Sequence, residues 1–184
     1  RQDLWASIAV VINWRLALVG QTYVNTTDAT PVQHLWSLAV EEQFYIVLPL
    51  AVTGLAAVAR RRGSNLRDTV AVAAAIAAVG STIALMVAVG DDVSFAYYAT
   101  HTRAAELLIG VVLACTVHRI VRRRPPRWLV PTVAGVGTAV IVAWWVVADQ
   151  ASPAFYRGGL TVYALASGAV IVGSGVAGAT AAQT

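Results

Sequence analysis

The residues that could do chemistry gather in one short stretch, residues 34–50, HLWSLAVEEQFYIVLPL. Wound as a helix at about 100° per residue, this stretch puts His34, Ser37, Glu41, Tyr45 and Leu48 within a stripe about 80° wide. One face then carries an imidazole, a hydroxyl, a carboxylate and a phenol. An imidazole oriented by a carboxylate can take the proton of an attacking hydroxyl, and hydroxyl or phenol neighbours can donate hydrogen bonds. Glu42 points about 100° away from Glu41, and Trp36 and Gln43 fall on the opposite side. A second pair, Arg103 and Glu106, shares a helix face. It reads either as a structural ion pair or as an anion-binding arginine facing the same cavity as Glu41.

These groups sit in an apolar setting. Hydrophobic residues make up 58% of the 184-residue chain and charged residues only 12%, against roughly 45–50% and about 25% in soluble domains. Residues 69–90, 128–148 and 158–184 contain no charge. Each run reaches the roughly 20 residues that cross hydrocarbon as a helix. None alternates as a membrane barrel strand would. The expected fold is all-α, a polytopic bundle of about five complete spans plus a partial one at the N-terminus. No internal domain boundary is expected within 1–184. Both ends read as cut, since the chain has no initiator Met and stops in or just after an apolar run.

The elements that must position the stripe follow from punctuation. Thr30 and Pro31 are expected to start its helix, with Gln33 closing a capping box. That helix should run to about Ala59 and stop at Arg60, Arg61 and Arg62. Only 17 uncharged residues separate Glu42 from Arg60. They rise about 26 Å, short of the roughly 30 Å hydrocarbon core. The glutamates therefore lie at or just inside the boundary, where a charge costs at least about 2.5–3.5 kcal/mol unless it faces a cavity or a partner. Glu106 and His118 are separated by 11 uncharged residues, so Arg103 and Glu106 must enter the membrane as well. Further spans are expected at about 69–89, 98–118, 128–148 and 158–177.

The formal charge is +4, and all 13 basic residues are Arg. Nine of the 13 lie in two short loops, Arg60, Arg61, Arg62 and Arg67 in one, Arg119, Arg122, Arg123, Arg124 and Arg127 in the other. Such clusters mark cytoplasmic loops, so nucleic acid is not an expected partner and membrane lipid is. Cys115 is the only cysteine, which excludes an intrachain disulfide. No Cys/His cluster suggests a metal site, and His101 and His118 read as interfacial. Gly173, Gly175 and Gly178 fit G-x-G-x-x-G but end a membrane helix, so close helix packing is the expected role.

The stretch HLWSLAVEEQFY resembles the W-S-L-x-x-E-x-x-F-Y motif of the integral-membrane acyltransferase family 3. Trp36, Ser37, Leu38, Glu41, Phe44 and Tyr45 match it, and His34 and Pro49 match common companions. Asn13, Trp14 and residues 97–114 (YYATHTRAAELLIGVVLA) are similar to the family too. The resemblance implies transfer of an acyl group, usually acetyl, from an acyl-CoA to a hydroxyl of an envelope glycan or another glycoside. It implies an integral protein of the bacterial plasma membrane, its Arg-rich loops cytoplasmic. Acyl-CoA enters as donor substrate and no cofactor is expected to stay bound. In this light Glu41 and His34 are the catalytic candidates, while Ser37, Tyr45, Arg103 and Glu106 are substrate-binding candidates. The family also implies a catalytic His in a first span that is not among these residues, so the chain alone is expected to be inactive. Two other classes fit the polar stripe: a transporter of a small or glycolipid substrate, for which no internal repeat is found, and an assembly subunit.

Overall fold

The computed structural model describes residues 2–19, 31–123, 125, 126, 128–147 and 155–181, without the side chains of Asp91 and residues 176–181. Its helices are α1 (Gln2–Ile8), α2 (Ile12–Val19), α3 (Leu35–Arg62), α4 (Leu66–Asp91), α5 (Val93–Tyr98), α6 (Thr100–Arg122), α7 (Leu129–Val147) and α8 (Leu160–Ala181). A kinked turn over Phe155–Gly159 leads into α8. Among the described residues five helical stretches are long and apolar enough to span a membrane: Leu35–Arg62, Leu66–Gly90, Val93–Arg122, Leu129–Val147 and Phe155–Gly175. The chain is therefore a polytopic helical membrane protein. Its flanks agree: Ile76 is 68% and Val146 80% exposed within the chain, surface that lipid covers at no cost.

α4 lies along α6, α8 along α7, and α6 joins the two pairs, while α3 packs on α2, α4 and α6. The α7–α8 seam is set by small residues. A Cβ on Gly137 would stand 2.7 Å from the Ala166 carbonyl oxygen, and one on Gly173 would stand 2.6 Å from the Ala134 Cβ. Gly173, the first glycine of the dinucleotide-like run, is thus a contact point between helices.

The third span is broken. Ala99 is extended, with φ −67° and ψ 136°, between α5 and α6. Broken backbone at membrane depth must find other partners. Thr102 Oγ1 supplies one, 2.8 Å from the Ala96 carbonyl and 2.7 Å from that of Ala99. The N-terminal segment, expected as the end of a span, is two short helices joined through Val10 at φ 59°. The Val11 amide reaches back to the Ala6 carbonyl at 2.8 Å, a Schellman-type ending that normally uses Gly. Arg15 Nε and Asp3 Oδ1 pair across this bend at 2.5 Å.

α3 starts at Leu35, not at Pro31. Residues 31–34 form a turn, and His34 stands before the helix with no capping side-chain bond. Gln33 is drawn away from a capping box because its Nε2 donates to Tyr98 Oη at 2.7 Å. Thr30, Arg124 and Arg127 lie outside the described residues.

An ion pair between Arg119 and Asp68 ties the C-terminal end of α6 to the N-terminal end of α4. Both Arg-rich loops therefore sit at one end of the bundle, and Asp92 and Ser94 at the other. In a background lacking Cys115, cysteines at Ser64 and Arg123 should both resist an impermeant thiol reagent in intact cells, while one at Ser94 should react. Opposite labelling of Ser64 and Arg123 would contradict this arrangement.

Candidate functional site

The site is built on the inner face of α3. Trp36, Ala39 and Val40 are buried there, and Gln43 follows one turn on. Three amide and hydroxyl side chains close a ring. Asn13 Nδ2 donates to Thr100 Oγ1 at 2.9 Å. Thr100 Oγ1 donates to Gln43 Oε1 at 2.5 Å. Gln43 Nε2 donates to Asn13 Oδ1 at 3.0 Å. Each amide has one N–H left, and each is used at a backbone break: Asn13 on the Tyr98 carbonyl at 3.1 Å, Gln43 on the Val10 carbonyl at 2.7 Å. Asn13 is fully buried. The ring joins α2, α3 and the α5–α6 break with every amide proton spent, the condition under which a buried polar network stabilises.

Above the ring lies an aromatic cluster. Trp36 meets Tyr97 at 4.7 Å and Tyr98 at 5.5 Å between ring centroids, and Tyr97 meets Tyr156 at 6.3 Å. Arg103 enters this cluster from α6. Its guanidinium carbon stands 5.5 Å from the ring centroids of both Trp36 and Tyr97, a cation held by two π faces. Nη1 pairs with Glu106 Oε1 at 3.1 Å, yet Nε and Nη1 are sealed from solvent without an aligned hydrogen bond. The Arg103 side chain is only 13% exposed and that of Glu106 31%. The aromatic faces offset the charge, while the N–H groups keep donor capacity for an oxyanion.

The expected stripe lies on the other side of α3. His34, Ser37, Glu41, Glu42 and Tyr45 are all exposed within the chain, Tyr45 by 60%. All but Glu42 share a face, but no hydrogen bond among the described residues links them to one another. Nor does one link Arg103 to Glu41: Arg103 packs on the Trp36 side, about 140° around the helix from Glu41. Two centres result, an open carboxylate face and a closed arginine cage, separated by the body of α3. Pro49 adds a group to the first. It has no N–H to close onto the Tyr45 carbonyl, which leaves an acceptor on the same face.

His101 stacks on Trp14, with centroids 5.8 Å apart and planes at 20°. It borders an open groove of about 600 Å³ lined by Ala84, Val87, Ala88, Asp92 and Phe95. Asp92 caps α5 by accepting from the Ser94 and Phe95 amides. His118 has its Nδ1 buried, and Cys115 is a free thiol. Among the described residues, no three His, Cys, Asp or Glu side chains gather as metal ligands.

The Acyltransferase domain family matches residues 4–179. The chain belongs to this family. Among curated proteins it is similar to O-acetyltransferase OatA of Staphylococcus aureus strain NCTC 8325, with 37% identity over 62% of this chain and 18% of the relative. It is similar to YrhL of Bacillus subtilis strain 168, named as a candidate peptidoglycan O-acetyltransferase, with 32% identity over 87% of this chain and 26% of the relative. The chain therefore spans less than a third of the length of either. No solved structure matches it.

Sequence spacing revealed the stripe and the Arg103–Glu106 pair but not the ring, whose partners come from three distant segments. Gln43→Met strands Asn13 Oδ1, the Val10 carbonyl and Thr100 Oγ1, at about 1–3 kcal/mol for each stranded group. Thermal unfolding of the detergent-solubilised full-length protein should fall clearly for Gln43→Met and for Asn13→Leu. The double variant should lose much less than the sum. Additive losses would show that the ring does not act as a unit.

Proposed function

We propose that the full-length protein is a membrane O-acyltransferase that moves an acyl group, acetyl first, from an acyl-CoA to a hydroxyl of an envelope glycan. The observation that carries this reading is the family match along nearly the whole chain, which favours the enzyme over a transporter or an assembly subunit. The names of OatA and of YrhL support acetyl as the group and a glycan as acceptor. The place is the bacterial plasma membrane, with the Arg-rich end cytoplasmic. Acyl-CoA is a substrate, and no resident cofactor is part of the reading.

In the reaction the acceptor hydroxyl oxygen attacks the thioester carbonyl. A C–O bond forms, the C–S bond breaks, the hydroxyl proton passes to a base, and the thiol of CoA leaves. In this reading Glu41 orients that base or holds the acceptor, since its face of α3 is exposed among the described residues. His34, at the head of the same helix, is the base candidate within the chain. Ser37 and Tyr45 donate hydrogen bonds along that face. Arg103, with Glu106 beside it, offers its unspent N–H groups to developing negative charge.

Arg103→Lys keeps the charge but loses the flat guanidinium that stacks between Trp36 and Tyr97. Transfer by the full-length protein should drop at least roughly tenfold with insertion intact. The swap R103E/E106R should not rescue it, since the two rings attract a cation at position 103. Rescue by the swap would reduce Arg103 to an ion-pair partner.

Glu41→Gln removes a charge and keeps the size. Acylated product per amount of inserted full-length protein should fall roughly a hundredfold or more, the scale of positioned acid–base groups. Glu42→Gln, on another side of the helix, should cost far less. Normal transfer by Glu41→Gln, or greater damage from Glu42→Gln, would leave the motif a folding element.

A further inference from the structure

The two Arg-rich loops meet at one end of the bundle. Arg60, Arg61 and Arg62 close α3, Arg119 and Arg122 close α6, Arg123 follows, and Arg67 stands second in α4. All seven are exposed. One acidic residue, Asp68, faces them among the described residues, and it is taken by Arg119. Seven arginines against one aspartate leave a surplus of six positive charges, drawn together by an ion pair between two helices.

Helix chemistry does not account for that surplus. Cations in the last turns of α3 and α6 suit the negative ends of those helices. Arg67 does not: it sits in the first turn of α4, where the helix end is itself positive, and where Asp68 is the fitting residue. Arg60, Arg61, Arg62, Arg67, Arg122 and Arg123 form no ion pair among the described residues. They crowd at the level where the apolar runs of α3, α4 and α6 end, which is the headgroup layer. A guanidinium there can grip two oxygens of one phosphate.

We propose that this end of the bundle is a binding surface for anionic phospholipid headgroups. The phosphodiester bridges arginines of the α3–α4 turn and of the α6 end, and the acyl chains lie along the exposed apolar flank of α4. Each bound lipid then offsets one charge of the surplus and holds the α3–α4 turn against α6. This site is distinct from the stripe and the arginine cage, which lie towards the opposite end, and it does not depend on acyl transfer.

The test titrates phosphatidylglycerol and phosphatidylcholine of identical chains onto the full-length protein in neutral detergent, with native mass spectrometry as readout. Phosphatidylglycerol should bind at least tenfold more tightly, and rising salt should erase the difference. The triple variant R61Q/R62Q/R67Q should weaken phosphatidylglycerol binding roughly a hundredfold, at roughly fivefold per arginine. The triple Lys variant at the same positions, which keeps the charge that guides insertion, should stay within roughly fivefold of the parent. Equal binding of the two lipids by the parent protein would overturn the proposal without any variant. So would selectivity that survives in the Gln variant. Displacement of the lipid by an equal concentration of inorganic pyrophosphate would assign the surface to a soluble polyphosphate instead.

Discussion

The structure depends on one closed ring of hydrogen bonds, Asn13 to Thr100 to Gln43 and back to Asn13. In hydrocarbon no water stands in for a lost partner, so two broken helices beside each other would be untenable on their own. The ring resolves both breaks at once. Its spare protons satisfy the Val10 and Tyr98 carbonyls. It also over-determines the backbone at Val10, a β-branched residue in a left-handed conformation that costs of order 1–3 kcal/mol. Removing Asn13 or Gln43 strands three groups at once, and removing Thr100 strands two.

Through Gln43 the ring also fixes the rotation of α3. Trp36 and Gln43 are seven residues apart and share a face, so once Gln43 is anchored Trp36 must lie beneath Arg103. Glu41 is then turned outward with Ser37 and Tyr45. The same short motif therefore has two jobs on opposite sides of one helix. Its apolar and amide residues join the bundle, and its carboxylate, hydroxyl and phenol are presented away from it. A rotation of α3 by one residue would carry Glu41 into the buried place of Val40 and turn Gln43 out of the ring.

Much of this was legible in the sequence where the signal is local. Uncharged runs gave the spans, the arginine clusters gave two loops at one end, and spacing gave the stripe and the Arg103–Glu106 pair. The helix start was misplaced because Gln33 has a partner 65 residues away, Tyr98, that outcompetes the cap. The break at Ala99 carries no Gly or Pro to announce it; it rests on Thr102 and Asn13. Asn13 resembles the family and Gln43 falls opposite the stripe, but neither shows its hydrogen-bond role in the sequence, since the partners are 30 and 87 residues away. The phase of Gln43 with Trp36 was visible, but its meaning required knowing what lay across from that face. Arg103 was legible as costly in lipid, whereas the two rings that hold it come from separate helices.

The glycine contacts between α7 and α8 set how these helices can vary over generations. At Gly137 and Gly173 even a methyl group would collide with the facing helix, so those positions admit hydrogen alone. Val162, Leu165 and Ile171, on the lipid side of α8, are open to any apolar volume. Drift in this region should therefore be wide in side-chain size along one flank and frozen along the other. A chain diverging from this one would keep a smooth seam inside a changing apolar coat, and its identity would survive as an absence of side chains rather than as a recognisable string of them.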